Sequence, residues 1–273
     1  MTESAVYLQP AFILQQRKYR ETSLIIDVLT RDFGRISLLA KGVRKTKSKT
    51  AGMLQPFIPL LISYFGKAEL KTLTDVERRA CSRQASGIHS IPGDCRAGSV
   101  PAGGIHSIPG DIIQPFSEIK GLALYCGFYI NELVGYFLHK YDPHPEVFGH
   151  YGECLLCLSD GSNMEAALRQ FELSLMECAG YGLQLAYDEN ESPIESLKKY
   201  VFNVGKGAVE VVDGPYSGKT LLALNSRELT DPQVLSEAKI LMRTVIDVYL
   251  QGRQLKSRAV INKVFATAQR LDQ

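Results

Sequence analysis

The sequence predicts an α+β protein in which a small five-stranded β-barrel precedes a mostly helical domain with a small irregular β insert. Two observations indicate this fold class. Residues 5–78 contain short runs of Val, Ile, Leu, Phe and Tyr between turn residues, whereas after residue 116 the apolar residues recur at three- and four-residue steps. The 273 residues are enough for two modest domains, each with its own core.

Five strands are predicted in the first part of the chain, at residues 6–15, 23–29, 36–40, 57–64 and 69–76. Arg31-Asp-Phe-Gly34 provides turn residues after the second strand, and Phe65-Gly66 provides them after the fourth. Five strands without a long helix favour a closed or partly closed barrel of the oligonucleotide/oligosaccharide-binding (OB) type. We therefore predict an OB-fold nucleic-acid-binding domain at residues 1–80.

The next segment contains an octapeptide that occurs twice without change. Gly-Ile-His-Ser-Ile-Pro-Gly-Asp stands at residues 87–94 and again at 104–111. Two copies are too few for a repeat architecture, which needs at least three units to bury a core. Residues 81–115 are predicted to be a flexible linker or insertion, with a metal site at His89 and His106 as the alternative.

Residues 116–273 are predicted to form the helical domain. The first helix, at residues 121–140, has one apolar stripe: Leu122, Tyr125, Tyr129, Leu133 and Phe137. Further helices are predicted at residues 145–158, 163–179, 232–251 and 257–269. Residues 183–225 are predicted to be irregular, with an extended stretch at 200–212.

The charge distribution indicates a polyanion-binding N-terminal domain. Residues 1–80 carry 14 Lys and Arg against 7 Asp and Glu, a net +7, and the remaining residues carry 17 against 22, a net −5. No carboxylate stands between Asp32 and Glu69, and five of the nine residues from 41 to 49 are basic, with Gly42 giving their backbone freedom. Such cations displace counterions from phosphates. The predicted nucleic-acid contacts are Lys41, Arg44, Lys45, Lys47 and Lys49. Arg35 and Tyr19 are further candidates, and the Tyr19 ring could stack a base.

Each of these predictions has an alternative. The basic segment could be a solvated loop without a partner, and an aromatic residue such as Tyr19 is more often part of a core.

No basic amphipathic helix and no apolar run near ~18 residues is present, so no membrane contact is predicted. The chain opens without a signal peptide and has six irregularly spaced cysteines, which predicts a soluble, reduced, cytoplasmic protein. Because we also predict nucleic-acid contacts, we expect it to be associated with the nucleoid.

Two motifs suggest chemistry, but neither has the spacing that the chemistry needs. Gly214 and Gly218-Lys-Thr220 are separated by three residues, whereas a phosphate-binding loop has four between its glycines, so a turn is predicted. Cys154 and Cys157 share a helix face with His150, which leaves a metal-dependent enzyme as a hypothesis, but buried cysteines are the preferred interpretation. We predict no catalytic residue, no metal, no cofactor and no enzymatic activity.

A second basic cluster lies near the C terminus and contains Arg253, Lys256, Arg258, Lys263 and Arg270. The predicted helix start at Lys256-Ser257-Arg258 offers amides and charge to an anion. An acidic peptide tail would suit this site, and a solvated amphipathic helix is the alternative.

The chain resembles the RecO family of bacterial recombination mediators in DNA repair. The similar segments at the N-terminal end are Ala11-Phe-Ile-Leu14, Tyr19-Arg-Glu21, Leu29-Thr30, Gly34 and Ala40-Lys-Gly-Val-Arg44. Those at the C-terminal end are Phe171-Glu-Leu173, Gly180-Tyr-Gly-Leu183 and Leu255-Lys-Ser-Arg258. Two features depart from the family pattern: the repeated octapeptide, and the absence of cysteine from residues 183–194, where some members have a four-cysteine zinc site.

The resemblance implies an OB domain, a helical domain, binding of single- and double-stranded DNA, and annealing of complementary strands. It also implies partnership with RecR and with the single-strand-binding protein SSB in loading RecA, and Lys256 and Arg258 are the residues we expect to receive the SSB tail. The alternative is an RNA-binding OB protein of translation or RNA processing.

Overall fold

The computed structural model describes residues 5–45, 48, 50–78, 118–161, 163–261 and 263. Five strands close into a barrel in the order β1-β2-β3-β5-β4. All neighbours are antiparallel except β3 and β5, which run parallel. The five-stranded OB-type barrel predicted from the sequence is confirmed. Its strands are β1 (Ala5–Tyr19), β2 (Ser23–Thr30), β3 (Gly34–Ala40), β4 (Leu60–Phe65) and β5 (Leu70–Arg78).

Strand β1 is buried on both of its faces. Ala11 and Ile13 point into the barrel, where they pack with Ile26 and Val28 of β2. Because successive side chains of a strand point in opposite directions, Phe12 and Leu14 point outward, and they join the core of the helical domain. The continuous apolar run at residues 11–14 is the sequence signature of a strand covered on two sides.

The second part of the chain is mostly helical and contains a three-stranded sheet, as predicted. Residues 256–261 begin a further helix. The domain boundaries at residues 80 and 116 stay predictions, because residues 79–117, with the repeated octapeptide, lie outside the described residues. The helices are α1 (Gly121–Phe137), α2 (Pro145–Asp160), α3 (Met164–Cys178), α4 (Gly218–Ser226) and α5 (Pro232–Tyr249), and the strands are β6 (Lys199–Asn203), β7 (Gly207–Val211) and β8 (Tyr216–Ser217).

Helix α4 was not expected, because residues 183–225 were predicted to be irregular and 214–220 to be a turn. The helix begins where a carboxylate from α5 binds its N terminus. Glu237 accepts hydrogen bonds from Ser217 N (2.8 Å), Ser217 Oγ (2.6 Å) and Thr220 Oγ1 (2.7 Å). Burial opposes ionisation of Glu237, but these bonds outweigh it and lower its pKa to about 2. A contact seventeen residues away in sequence thus stabilises a helix that local propensity did not predict.

The two domains are joined by close backbone contacts at the start of β3. Gly34 has a φ of +64°, and a Cβ atom placed on it would overlap the carbonyl group of Asp142, so the helical domain approaches where only glycine leaves room. Tyr141 N donates to Arg35 O (3.0 Å), and Asn131 Nδ2 donates to Leu14 O (2.8 Å). These bonds hold the barrel against α1.

Candidate nucleic-acid interface

The β1–β2 turn and the residues that follow β3 meet at one end of the barrel. The antiparallel register brings them together, since Tyr19 pairs with Ser23, and Leu24 of β2 pairs with Ala40 at the end of β3. Between them lies an open cavity of about 450 Å³, which we call the basic hollow. It is lined chiefly by Tyr19, Arg20, Thr22, Leu39, Lys41 and Lys45.

The predicted cations Lys41, Arg44 and Lys45 are exposed at this end, and their backbone is fixed by hydrogen bonds. Arg44 N donates to Thr22 O (2.9 Å), and Lys45 N donates to Gly42 O (3.2 Å). Gly42 therefore forms a bonded turn at a φ of +70°, rather than giving the backbone the freedom we expected. The barrel therefore fixes the backbone that carries these cations, which reduces the backbone entropy lost when they bind a ligand.

Further cations at this end were missed by sequence reasoning. Arg20 lies with its guanidinium carbon 5.3 Å from the centre of the Tyr19 ring, so it is stacked on the aromatic face. Arg17 and Lys18 are exposed near the end of β1, and Glu21 is the acid of the same turn. These residues stand outside the dense basic run, and only the hairpin register places them beside it.

The remaining residues of the predicted DNA-binding set have different positions. Tyr19 is half-buried and lines the basic hollow together with Lys41 and Lys45. Lys47 and Lys49 lie outside the described residues, so their contribution stays a prediction.

Arg35 is placed against the helical domain and not in the basic hollow. Its Nη1 donates to the carbonyl oxygens of Gly135 (2.6 Å) and Leu138 (2.7 Å) at the C-terminal end of α1. Helix α1 has no basic residue in its own last turn, so Arg35 supplies the cation that complements its carbonyls. Burial lowers the pKa of Arg35, and Asp27 opposes this shift. Arg35 thus holds the barrel against α1, and its predicted contact with DNA stays a prediction.

The two predicted partner-binding residues lie in different surroundings. Arg258 is half-buried: Nη1 pairs with Asp247, Nη2 lies 3.3 Å from the Tyr129 hydroxyl, and the guanidinium stacks on the Tyr129 ring at 5.4 Å. The Tyr129 hydroxyl in turn donates to Glu172 Oε1 (2.8 Å). Arg258 is thus engaged by Asp247 and Tyr129, and its predicted role in binding the SSB tail stays a prediction.

Lys256 is exposed at the edge of a cavity of about 560 Å³ between the barrel and α1, which we call the apolar hollow. The backbone amides at the helix start beside it are already bound, because Glu132 accepts from Lys256 N (2.9 Å) and Ser257 N (2.9 Å). An anion would therefore meet the Lys256 side chain and not these amides. The hollow is lined by apolar surface from Phe128, Tyr136 and Val260, by the cations Lys256 and Arg35, and by the acids Asp27 and Glu132, among other residues.

The segment at residues 214–220, which resembles a phosphate-binding loop in sequence, has a structural role. A Cβ atom on Gly218 would overlap the Glu195 carbonyl, and one on Gly214 would lie 2.5 Å from Tyr200 O. Both glycines are therefore needed for close packing of the backbone. The amide of Ser217 at the start of α4 donates to the carboxylate of Glu237, so an internal anion lies where a phosphate would bind.

The cysteine motif does not form a metal site in the described residues. Cys154 is buried, and burial raises the pKa of its thiol well above the ordinary value. His150 is exposed and bonds to Glu153 (3.1 Å). Among the residues that the structure describes, no group of three or more His, Cys, Asp and Glu is arranged to hold a metal ion. His89 and His106 lie outside them.

Two family models match the chain. The model for the N-terminal part of recombination protein O matches residues 1–80, and the model for its C-terminal part matches residues 120–259. The DNA repair protein RecO of Methylococcus capsulatus is 40% identical over 258 residues, which cover 93% of each chain. That of Dechloromonas aromatica is 35% identical over 269 residues, which cover 96% of this chain and 97% of the relative. The chain belongs to the RecO family.

Membership of the RecO family agrees with the fold, because the barrel and the helical region coincide with the two matched segments. In this RecO-family chain, the segment after Gly182 is held by hydrogen bonds. The Asp188 carboxylate accepts from Asn190 N (2.9 Å) and Ser192 N (2.8 Å). Within the described ranges, no helix has both the length and the apolar character needed to cross a membrane.

Proposed function

We propose that this RecO-family protein is a recombination mediator that binds single- and double-stranded DNA and anneals complementary strands. We further propose that it acts in the cytoplasm, at the nucleoid, without enzymatic activity. The basic hollow is the observation that carries this proposal. Among the residues that the structure describes, six exposed cations lie at this end of the barrel, where Glu21 is the acid of the β1–β2 turn: Arg17, Lys18, Arg20, Lys41, Arg44 and Lys45.

Annealing follows from such a surface by electrostatics. Two strands repel each other through their phosphates, and fixed cations between them reduce that repulsion. Tyr19 offers an aromatic face on which a base can stack, so one strand can be held with its other bases exposed for pairing. None of these steps requires nucleotide hydrolysis.

We expect the triple variant Lys41→Ala/Arg44→Ala/Lys45→Ala to bind DNA more weakly and with a smaller salt dependence. Each lost phosphate contact removes about 0.7 to 0.9 from the slope of log K against log salt, so the slope should fall by roughly 2–3. Fluorescence anisotropy of labelled oligonucleotides over a salt series measures both quantities. The same experiment with equal lengths of DNA and RNA tests the RNA-binding alternative.

A control removes the same charge elsewhere. Lys206, Lys219 and Arg243 are exposed on the helical domain, and changing all three to Ala also lowers the net charge by three. This control should keep the slope of the unchanged protein. An unaltered slope in the basic-hollow variant would show that DNA binds at another surface.

The partner part of the proposal includes RecR, the SSB tail, and RecA as the recombinase that receives the DNA. For the SSB tail, which is acidic and ends in apolar residues, the apolar hollow offers both kinds of contact. Phe128 and Tyr136 expose about 40% of their side chains there, and Lys256 provides a cation at the edge. Apolar contact would supply most of the affinity, and the lysine would orient the tail.

We expect Phe128→Ala to weaken binding of an SSB-tail peptide by about 10- to 30-fold, as is usual for an aromatic anchor, and Lys256→Ala to weaken it by roughly 2- to 5-fold. Titration of a labelled tail peptide measures both effects. Lys206→Ala, another exposed lysine of the helical domain, is the control and should change nothing. Undiminished affinity in both test variants would place the tail elsewhere.

A further inference from the structure

A second hollow lies at the opposite end of the β2–β3 hairpin from the basic hollow. It has a volume of about 230 Å³, and we call it the aromatic hollow. Since β2 has eight residues at ~3.3 Å each, the two hollows are separated by about 25 Å along the hairpin. The aromatic hollow is lined by Asp32, Phe33, Tyr64, Gly66, Lys71 and Tyr141, among other residues.

Its side walls are two exposed rings. Phe33 exposes 40% and Tyr141 exposes 42% of their area, although both are large aromatic side chains. Tyr64 is buried at the base, and the Phe33 ring meets it edge-on at a centroid distance of 6.2 Å. The lining of the hollow thus contains two exposed aromatic rings next to a buried one.

Both rings are held in place. Tyr141 has a backbone φ of +62°, which is uncommon for a residue other than glycine, and its N–H and hydroxyl donate to the barrel carbonyls of Arg35 and Glu69. Phe33 N donates to Thr30 Oγ1 (3.2 Å), and that hydroxyl donates to Gly34 O (2.7 Å). The walls are therefore fixed before any ligand binds, which reduces the entropy lost on binding.

The polar groups of the hollow suit an uncharged ring better than a phosphate. Asp32 and Lys71 contribute opposite charges, and Lys71 Nζ lies 5.1 Å from the centre of the Tyr141 ring. The hydrogen bond from Arg31 lowers the pKa of Asp32, so its carboxylate stays an acceptor. Burial, with Tyr141 and Asp32 nearby, raises the pKa of Tyr64 to about 12, so its hydroxyl stays protonated.

The size of the hollow also fits an aromatic ring. A protein cavity of about 150 Å³ is large enough to hold benzene, and this hollow is larger and open on one side. Bases are planar, uncharged and carry N–H donors and acceptors on their edges. Stacking between fixed rings is the usual way in which proteins bind unpaired bases.

We propose that the aromatic hollow binds one unstacked base of a single DNA strand whose phosphates contact the basic hollow. This inference rests on the DNA binding proposed above and adds a second point of contact, about 25 Å away along the hairpin. Bases inside a duplex are stacked on each other and do not enter the hollow. The hollow therefore favours single strands over duplexes, whereas the basic hollow binds the phosphates of both.

The chain contains no tryptophan, so Phe33→Trp introduces a single fluorescent reporter into one wall. We expect its fluorescence to be quenched when the full-length protein is titrated with a single-stranded oligonucleotide, and to change little with a duplex. Tyr187→Trp is the control, because Tyr187 is an exposed ring (47%) in the irregular insert of the helical domain. This control should not respond to either DNA.

Phe33→Leu tests the energetic contribution, since leucine keeps apolar contact with Tyr64 but removes the ring. We expect the single-strand Kd to rise by roughly 5- to 150-fold, the range for loss of one stacked base, with the duplex Kd and the salt slope unchanged. Labelled oligonucleotides report binding, and a thermal melt of each variant shows that it is folded.

Three outcomes would overturn the inference. If single-stranded DNA binds with the normal salt slope but leaves both the tryptophan signal and the Phe33→Leu affinity unchanged, no base enters the hollow, and DNA binding at the basic hollow still stands. If Phe33→Leu weakens single strand and duplex equally, the residue does not act by stacking an unpaired base. If the unchanged protein binds no DNA, this inference falls together with the proposed function.

Discussion

Replacing Glu172 with Ala is expected to lower the free energy of unfolding by about 3–5 kcal/mol, because the buried guanidinium of Arg169 loses its close partner and keeps only the Glu165 carboxylate, 3.6 Å from its Nη1. Glu172 and Arg169 are both more than nine-tenths buried on α3, and Arg169 Nη2 lies 2.5 Å from Glu172 Oε1. The same carboxylate oxygen accepts the Tyr129 hydroxyl, which itself contacts Arg258. Urea titration followed by circular dichroism measures the change.

A double variant and a surface control make this prediction specific. Arg169→Met/Glu172→Leu removes both charges and fills the space with apolar atoms, so it should recover most of the stability lost in the single variant. Glu177→Ala breaks an ion pair with Arg227 on the exposed part of the same helix and should cost no more than about 1 kcal/mol. If Glu172→Ala and Glu177→Ala lower the free energy of unfolding equally, the buried ion pair stabilises the protein no more than the exposed one.

The second large effect concerns the contact between the domains. We expect Gly34→Ala to destabilise the protein by roughly 2–5 kcal/mol: about 1–2 from the left-handed backbone and about 1–3 from the overlap with the Asp142 carbonyl. The free energy of unfolding, measured by urea titration, tests this.

Two other glycines separate these contributions. Gly180 has a φ of +82° and open space around it, so Gly180→Ala should show only the backbone cost. Gly135 lies inside α1 with open space, and Gly135→Ala should stabilise the protein by about 0.5–1 kcal/mol. If Gly34→Ala costs no more than Gly180→Ala, the helical domain can move away from β3 more easily than the structure indicates.

The contacts of Glu172 with Tyr129 and of Gly34 with Asp142 join residues that are far apart in the sequence, and contacts of this kind explain which predictions failed. Strands β1 to β5 and helices α1, α2, α3 and α5 were predicted because local periodicity and turn residues specify them. Helix α4 was missed because its start is stabilised by Glu237 of α5, and no local pattern carries that information.

The candidate site likewise contains some residues that the sequence predicted and others that it did not. Sequence patterns predicted Lys41, Arg44 and Lys45, because a dense run of basic residues can be recognised in the sequence without knowing the fold. Arg20 was missed, because only the register of β1 and β2 places it beside them. The aromatic hollow was missed for a similar reason, since Phe33 and Tyr141 stand more than a hundred residues apart.

Residue types and their local spacing were enough to predict the class of the two domains, most of the strands and helices, and the sign and location of the excess charge. Which charged side chains are available to a ligand depends on tertiary contacts, and the sequence did not predict those contacts. Arg35 bonds to carbonyls about a hundred residues away, and Arg258 is held by Tyr129 and Asp247, whereas Lys256, two positions earlier, remains exposed. A charged side chain binds the acceptors that lie near it in the folded protein, and these acceptors can come from any part of the chain.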